Sequence, residues 1–342
     1  LRPFSPCMSR TPPPYLRLSP EVRAALARGL PVVALESSII SNGMPFPENL
    51  DAARAVAAAV RRAGATPATV AILGGRLAVG LSEEELHHLA TTPNIPKCAV
   101  RDLPVFLADA NATAATTVSA TLAACRAAGI HVFATGGIGG VHRGVAESMD
   151  ISADIPALAA SPPVAVVCAG VKSILDVPKT LEALETAGVC VMAYQSEFIP
   201  GFYTPRAVGE PRAVHSAKSP QHAAAVLRAA SESTAGSVVV MVPVRAEHAA
   251  EAAVVEDAAR VALAEAAEKG VGGAAVTPFV LRRVAEITGG ASLRANMLLV
   301  ENNAFVAGQI AVAYSMGIRG GVAMRDVAGQ GDGLGVEAPR VA

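Results

Sequence analysis

Two charged residues follow apolar runs of this sequence, and both could do chemistry at such positions. Glu36 comes directly after residues 31–35, and Lys172 comes four residues after the run 164–168. Burial at the end of an apolar strand disfavours the charged form of either side chain. A protonated carboxyl group is a general acid, and a neutral amine is a nucleophile that can form a Schiff base with a carbonyl carbon. Each residue also has a non-catalytic interpretation. Glu36 could cap a helix, and Lys172 could lie at a helix start with its amine extended into solvent.

The segment 135–144 combines Thr135, four glycines before the pair His142-Arg143, and a fifth glycine after it. Glycines allow backbone N–H groups to converge on a phosphate, and the polar side chains can donate further hydrogen bonds. The segment does not match the dinucleotide-binding fingerprint or the P-loop, because His142 occupies the sixth position and no Gly-Lys-Ser/Thr follows. We expect a loop that contacts a phosphorylated ligand, although a histidine such as His142, taken alone, is structural more often than not.

Asp150, Ser152 and Asp154 alternate with apolar residues. In an extended segment this spacing places the three side chains on one side, and hard oxygen donors of this kind suit Mg²⁺ or Mn²⁺. The other interpretation is that Asp154 begins a helix over residues 155–160.

Short apolar runs typical of strands alternate with alanine-rich runs of helical periodicity, which predicts an α/β fold with a sheet between helices. We expect a single three-layer α/β/α domain with a central mixed sheet. Strands are predicted at 31–35, 69–73, 131–134, 164–168, 189–193 and 238–242. Helices are predicted at 49–63, 116–128, 178–187 and 249–269, and another is predicted to begin after Ser82, where three glutamates follow a capping serine.

Both ends of the chain are expected to lie outside this domain, which should span residues 18–316. Residues 1–17 contain several prolines and arginines but no acid, and they predict a disordered lead. Residues 317–342 are rich in glycine and predict a mobile tail. Within the domain, residues 201–220 contain prolines and scattered charges and predict a long surface insertion.

The composition argues against two classes of function. The chain of 342 residues carries 28 Lys and Arg against 29 Asp and Glu, whereas proteins that bind nucleic acid normally have a basic excess. Pro, Ser, Asn or Gln interrupt the longest uncharged stretches, so we expect no membrane-spanning helix and a soluble protein. Five cysteines without metal or redox spacing predict reduced thiols. We therefore expect an intracellular protein of the cytoplasm or an organelle, not a secreted one.

The same motifs, taken in order, resemble the pseudouridine-5'-phosphate glycosidase family, also called the indigoidine-synthase-A-like family. The resemblance covers residues 18–314. It is carried by Val-Ala-Leu-Glu-Ser-Ser-Ile-Ile-Ser-Asn-Gly-Met-Pro (33–45), Pro-Ala-Thr-Val-Ala-Ile-Leu-Gly-Gly (67–75), Phe-Ala-Thr-Gly-Gly-Ile-Gly-Gly-Val-His-Arg-Gly (133–144), Asp-Ile-Ser-Ala-Asp (150–154), Val-Cys-Ala-Gly-Val-Lys-Ser-Ile-Leu-Asp (167–176), Thr-Pro-Phe-Val-Leu (277–281) and Thr-Gly-Gly-Ala-Ser-Leu-Arg-Ala-Asn (288–296).

The resemblance implies reversible cleavage of the C-glycosidic bond of pseudouridine 5'-phosphate to uracil and ribose 5-phosphate, in a homotrimer with one divalent ion such as Mn²⁺ per subunit. It implies that Lys172 forms a Schiff base with C1' of ring-opened ribose, that Glu36 donates the proton, and that Asp150 holds the metal. The residues that it places around the substrate are Lys97, Thr117, Val118, Thr135, His142, Ser152, Ala153, Asp154 and Asn296.

Four positions depart from the pattern of the family, and one of them is Ala114, which stands where members carry Gly before the Thr-Thr-Val run. Asn42 stands where most members carry His, and Ala99 and Val100 replace a hydroxyl and a charge that the motif after Lys97 usually carries. Loss of the hydroxyl would weaken affinity for the phosphate. Two other functions use the same residues. One is a Schiff-base aldolase acting on a phosphorylated sugar, and the other is a sugar-phosphate sensor that has lost catalysis.

Overall fold

The computed structural model describes residues 13–233, 236–271 and 276–328. Its strands are β1 Leu16–Leu18, β2 Val32–Leu35, β3 Thr66–Leu73, β4 Arg76–Val79, β5 Lys97–Cys98, β6 Thr113–Thr116, β7 Val132–Ala134, β8 Ala165–Cys168, β9 Cys190–Tyr194, β10 His215–Ala217 and β11 Val238–Met241. Its helices are α1 Pro20–Ala27, α2 Ser38–Asn42, α3 Glu48–Arg62, α4 Glu83–Thr91, α5 Leu103–Ala108, α6 Val118–Ala128, α7 Val145–Ser148, α8 Asp154–Ala160, α9 Val177–Thr186, α10 Pro220–Glu232, α11 Ala249–Glu268, α12 Val276–Ile287 and α13 Ala291–Ala328.

The strands form one mixed sheet, as the alternating pattern predicts. A parallel region runs in the order β3-β2-β7-β8-β11-β9-β10, and β3 also pairs antiparallel with β4 and β6. Leu35 lies opposite Ala134, and Ala134 lies opposite Val167. This register brings the C-terminal ends of β2, β7 and β8 level at one edge of the sheet, where ligands bind in parallel α/β folds.

The central strands are apolar along their whole length because both of their faces are covered. Every residue of β2, β7, β8 and β11 is buried, which is typical of parallel strands with helices on both sides. Helix α13 packs against α3 and α10 and crosses β2, β7 and β8, whereas α6 packs with α8 and contacts β2 and β7. These layers confirm the predicted α/β fold.

The predicted strands and helices are confirmed, with boundaries that move by up to three residues. Ser82 caps α4 as expected: its hydroxyl accepts a hydrogen bond from the Glu85 N–H, and the Glu85 carboxylate accepts one from the Ser82 N–H. The short strands β1, β4, β5, β6 and β10 were not predicted, because two to four residues carry too little alternation to stand out.

The prediction of a surface insertion over residues 201–220 is wrong for its first part. Phe202, Tyr203 and Ala207 are buried, and Phe202 packs against the glycine-rich segment that follows β7. Hydrophobic contact with the sheet edge draws the segment inward despite its prolines and charges.

The ends of the chain also differ from the expectation. β1 begins two residues inside the predicted lead and pairs with β4, because Leu16 is buried opposite Leu77. At the other end, α13 continues to Ala328, through the first part of the predicted tail. Residues 1–12 and 329–342 lie outside the described residues.

Two compositional predictions can be compared with the described part of the chain. None of its helices combines the length and apolarity that crossing a membrane requires. Cys98, Cys125, Cys168 and Cys190 are free thiols, and Cys7 lies outside the described residues. Burial raises the pKa of Cys98 and Cys168 to about 12, which makes both thiols unreactive.

Candidate active site

A cleft lies at the edge of the sheet where β2, β7 and β8 end, and it encloses about 930 Å³ of space, part of it open to solvent. Three of its charged residues are Glu36, Lys97 and Lys172. Its other lining residues are Ser38, Ile39, Asn42, Gly43, Gly136, Gly137, Ser173, Ile174, Phe202, Tyr203, Ala259, Val280, Val284, Ser292, Leu293 and Asn296. The two residues that the sequence singled out first therefore share one cavity.

Glu36 is held by two hydroxyl groups. It is half-buried one residue beyond β2, and its two carboxylate oxygens accept hydrogen bonds from the hydroxyls of Ser38 and Thr135. Ser38 is the first residue of α2, and Thr135 is buried directly after β7. Because each oxygen has its own donor from a different element, the carboxylate has a defined orientation in the cleft.

The charged groups of the cleft influence one another. Burial lowers the pKa of Lys97, the nearby positive charge of Lys172 lowers it further, and the carboxylate of Glu36 opposes both effects. Lys97 as a whole residue is exposed. Two ammonium groups in one cleft repel each other, and this repulsion adds to the lowering of the Lys97 pKa.

The glycines after β7 serve two different purposes. Gly136 and Gly137 line the cleft, and a Cβ on Gly137 would lie 2.5 Å from the Phe202 ring. Gly139, in contrast, donates its N–H to the Asp154 carboxylate at 2.8 Å. The N–H group of Gly139 therefore bonds within the protein and not to a ligand.

The three oxygen side chains of the alternating segment 150–154 make different contacts. Asp154 is buried at the start of α8 and accepts hydrogen bonds from the N–H groups of Ser119, at 3.1 Å, and Gly139. The Ser152 hydroxyl accepts one from the Asp154 N–H at 3.2 Å. Asp154 thus joins α8, α6 and the glycine-rich segment, in agreement with the helix-start interpretation.

Asp150 has a different environment from Asp154. Its carboxylate is partly exposed and lies 3.8 Å from Nδ1 of His142, and the His142 N–H donates to the Asp150 carbonyl at 3.0 Å. Within the described ranges, no three His, Cys, Asp or Glu residues are grouped closely enough to hold a metal ion. A hard divalent cation is often bound by one or two protein ligands and several waters, so Asp150 with His142 fits a hydrated ion better than a closed cage.

The remaining residues that the resemblance places around substrate fall into two groups. Asn296 of α13 and Lys97 of β5 line the cleft. Thr117 caps α6, Val118 begins that helix with its side chain buried in the core, and Ala153 precedes α8. These last three residues could contact a ligand through the main chain of a helix start more readily than through their side chains.

Sequence patterns missed one wall of the cleft. Ala259 of α11, Val280 and Val284 of α12, and Leu293 of α13 form an apolar surface opposite the strand ends, together with Phe202. These residues follow ordinary helical periodicity. Such a pattern predicts that a side chain is buried, but it does not predict which part of the protein the side chain packs against. Only the motifs 277–281 and 288–296, which both carry the resemblance, gave a signal in this region.

A buried carboxyl group, Glu256, lies one helical turn before Ala259 on α11. Its Oε2 is shielded from solvent and has no hydrogen-bond partner among the residues that the structure describes. Burial raises its pKa to about 7, the charge of Arg143 opposes this rise, and that of Asp257 adds to it. Burial and the charge of Glu256 in turn raise the pKa of Tyr203, which lines the cleft.

A family model described as "Indigoidine synthase A like protein" matches residues 21–313. The chain belongs to this family. A protein of Myxococcus xanthus named pseudouridine-5'-phosphate glycosidase is 51% identical over 302 residues, which are 88% of this chain and 98% of the relative. A protein of Arabidopsis thaliana with the same name is 49% identical over 302 residues, 88% of this chain and 90% of the relative.

The fold is shared with a solved C-glycosynthase. The crystal structure of the prealnumycin C-glycosynthase AlnA in complex with ribulose 5-phosphate superposes with a TM-score of 0.81 at 37% identity, and the match covers 90% of this chain and 100% of that one. The family resemblance seen in the motifs and the predicted α/β fold are both confirmed.

Proposed function

We propose that this protein is a pseudouridine-5'-phosphate glycosidase that reversibly cleaves the C-glycosidic bond to give uracil and ribose 5-phosphate. The observation that carries the proposal is the meeting of Glu36, Lys97 and Lys172 in one cleft at the strand ends. The names of the relatives at about half identity support it.

The chemistry of the bond explains why this set of groups is needed. A carbon leaving group is poor, so the paired carboxylates that hydrolyse O-glycosides are insufficient. In the proposed mechanism the amine of Lys172, in its neutral form, bonds to C1' while the bond from C1' to the ring oxygen breaks, and the nitrogen gives up a proton as the ring oxygen takes one up. The nitrogen lone pair then forms the C1'=N bond as the bond from C1' to uracil C5 breaks, and C5 receives a proton. Water hydrolyses the resulting imine and releases ribose 5-phosphate.

The other side chains position and stabilise the reactants in this mechanism. Glu36 is the proton donor, and the hydroxyls of Ser38 and Thr135 keep its carboxyl group in place. Lys97 supplies positive charge for the phosphate. Asp150 would hold the divalent ion, with His142 beside it, and the ion would supply positive charge that polarises a ligand oxygen. Homotrimeric assembly and an intracellular location remain part of the proposal.

A Schiff-base aldolase acting on a phosphorylated sugar is the second candidate. Its support is the structural neighbour, whose complex contains ribulose 5-phosphate, a ketose phosphate with a carbonyl carbon that an amine can attack. An aldolase would use Lys172 in the same way but would break a bond within the sugar. A sensor without catalysis would not need the amine and the acid together.

One incubation separates these functions. The protein is mixed with uracil, ribose 5-phosphate and Mn²⁺, and pseudouridine 5'-phosphate is sought by mass spectrometry. Its formation supports the glycosidase, cleavage of the sugar phosphate itself supports the aldolase, and no conversion supports the sensor.

Borohydride reduction during the incubation tests the nucleophile. The expected adduct has the mass of the reduced sugar phosphate and maps to the peptide with Lys172. It should be absent in Lys172→Ala and in Lys172→Arg, because guanidinium keeps its charge and offers no free lone pair. Lys97→Ala is the matched control, in which the adduct should persist at higher sugar concentration. An adduct on Lys97 would exchange the roles of the two lysines, and normal turnover without an adduct would exclude covalent catalysis.

A further inference from the structure

A buried amide on α13 reaches the loop that carries the hydroxyl partner of Glu36. Asn303 is 1% exposed, and its Nδ2 donates hydrogen bonds to the carbonyl oxygens of Thr135, at 2.9 Å, and Gly136, at 3.3 Å. Carbonyl oxygens only accept hydrogen bonds, so these contacts determine which end of the amide faces the loop. Asn303 thereby ties a distant helix to the first two residues after β7.

The same two residues are tied to β8 on their other side. The Thr135 N–H donates to the Val167 carbonyl at 3.0 Å, and the Gly136 carbonyl accepts from the Ala169 N–H at 2.9 Å. β7 ends at Ala134, and Asn303 of α13 adds hydrogen bonds to the two residues that follow it. The position of the Thr135 hydroxyl, which holds Glu36, therefore depends on the Asn303 amide as well as on β8.

We propose that Asn303 is a positioning residue for the acid Glu36. It acts by holding residues 135–136, here called the Thr135–Gly136 turn, whose Thr135 hydroxyl bonds to Glu36. The role of Glu36 as the acid rests on the proposed function. The environment of the Asn303 side-chain oxygen indicates that this residue is present for function and not for stability. Asn303 Oδ1 is buried and accepts no hydrogen bond from the described residues. An unsatisfied buried acceptor lowers stability, so packing alone would favour an apolar side chain at this position.

The structure offers a matched pair of variants. Asn303→Leu keeps the branching at Cγ and removes both donated hydrogen bonds. Asn302→Leu is the control on the next residue of α13, because Asn302 is half-buried and its Oδ1 accepts from Nε of Arg245 at 3.0 Å, away from the turn. Thermal unfolding of both variants checks that each is folded at the assay temperature.

The kinetic readout is the split between kcat and KM. We expect Asn303→Leu to lower kcat for synthesis from uracil and ribose 5-phosphate by about tenfold or more, since a misplaced general acid forfeits part of its usual contribution. KM for ribose 5-phosphate should change by less than about threefold, and the borohydride adduct at Lys172 should still form. The pH profile of kcat should shift relative to the wild type, because Glu36 loses an oriented hydroxyl partner. Asn302→Leu should match the wild type.

A second variant and a second measurement cover the case in which Asn303→Leu does not fold. Asn303→Asp can donate a hydrogen bond to the turn only when protonated, so its kcat relative to the wild type should recover towards low pH. Amide hydrogen exchange of the peptide 133–140 measures how firmly residues 135–136 are held, and it does not depend on enzyme activity. The exchange should be faster in the Asn303 variants than in Asn302→Leu.

These results distinguish the two proposals. An inactive wild type with faster exchange in the Asn303 variants would overturn the proposed function and uphold the role of Asn303 in the turn. An active wild type with unchanged kcat, pH profile and exchange in folded Asn303→Leu would overturn the inference about Asn303 alone.

Discussion

Replacing Glu256 by glutamine should stabilise this protein above neutral pH and leave its stability unchanged in acid. Burial raises the pKa of this carboxyl group from 4.5 to about 7. Between these values the group is protonated in the folded chain and ionised in the unfolded chain. The unfolded state then binds fewer protons, so the free energy of unfolding falls as pH rises through this window.

The size of the effect follows from the same rise in pKa. A change from 4.5 to about 7 corresponds to up to about 3 kcal/mol of lost stability once the pH exceeds both values. Glutamine has the same shape and no ionisation, so Glu256→Gln should recover most of this loss at pH 8 and none at pH 4. For a domain of this size, that is an increase of several degrees in thermal midpoint.

Urea denaturation at pH 4, 6 and 8 measures the difference directly. Glu268→Gln is the matched control, because Glu268 lies exposed on the same helix and should give no pH-dependent difference. If the unfolding free energies of the wild type and Glu256→Gln stay parallel across this range, Glu256 is not desolvated as the structure indicates. If Glu256→Gln is less stable at pH 8, a favourable pairing of the carboxylate with Arg143 outweighs the burial.

Three further outcomes are expected. Gly137→Ala should lower the free energy of unfolding by about 1–3 kcal/mol and reduce kcat/KM, because the added Cβ would lie 2.5 Å from the Phe202 ring at the cleft. Unchanged stability and kinetics would show that the ring moves freely. Asp154→Ala should destabilise the fold by about 3 kcal/mol in urea denaturation, since two buried N–H groups lose their acceptor, whereas a rise in KM at full stability would favour direct substrate binding. Asp150→Ala should abolish the response of activity to added Mn²⁺ and keep the thermal midpoint within a few degrees; an undiminished metal response would remove Asp150 from this role.

Local sequence was sufficient to predict the central strands and the two residues at their ends. Residues 32–35 and 165–168 are continuous apolar runs, and only a strand covered on both faces requires such a run over so short a length. Glu36 and Lys172 stand out for the same reason, since a charged residue after such a run must lie at the edge of the sheet. The start of α4 was equally predictable, because a capping box involves residues three positions apart.

Tertiary structure decided how the remaining groups are used. Asp154 has the residue type and spacing of a metal ligand, but its carboxylate bonds to N–H groups of Ser119 and Gly139, which are remote in sequence. Asn303 lies in an ordinary helical pattern, and its contact with Thr135 spans 168 positions. Phe202 lies in a segment with prolines and scattered charges and nevertheless forms part of the cleft. In each case the partner comes from a distant part of the chain, and the periodicity of a short window carries no information about which distant surface a side chain will meet.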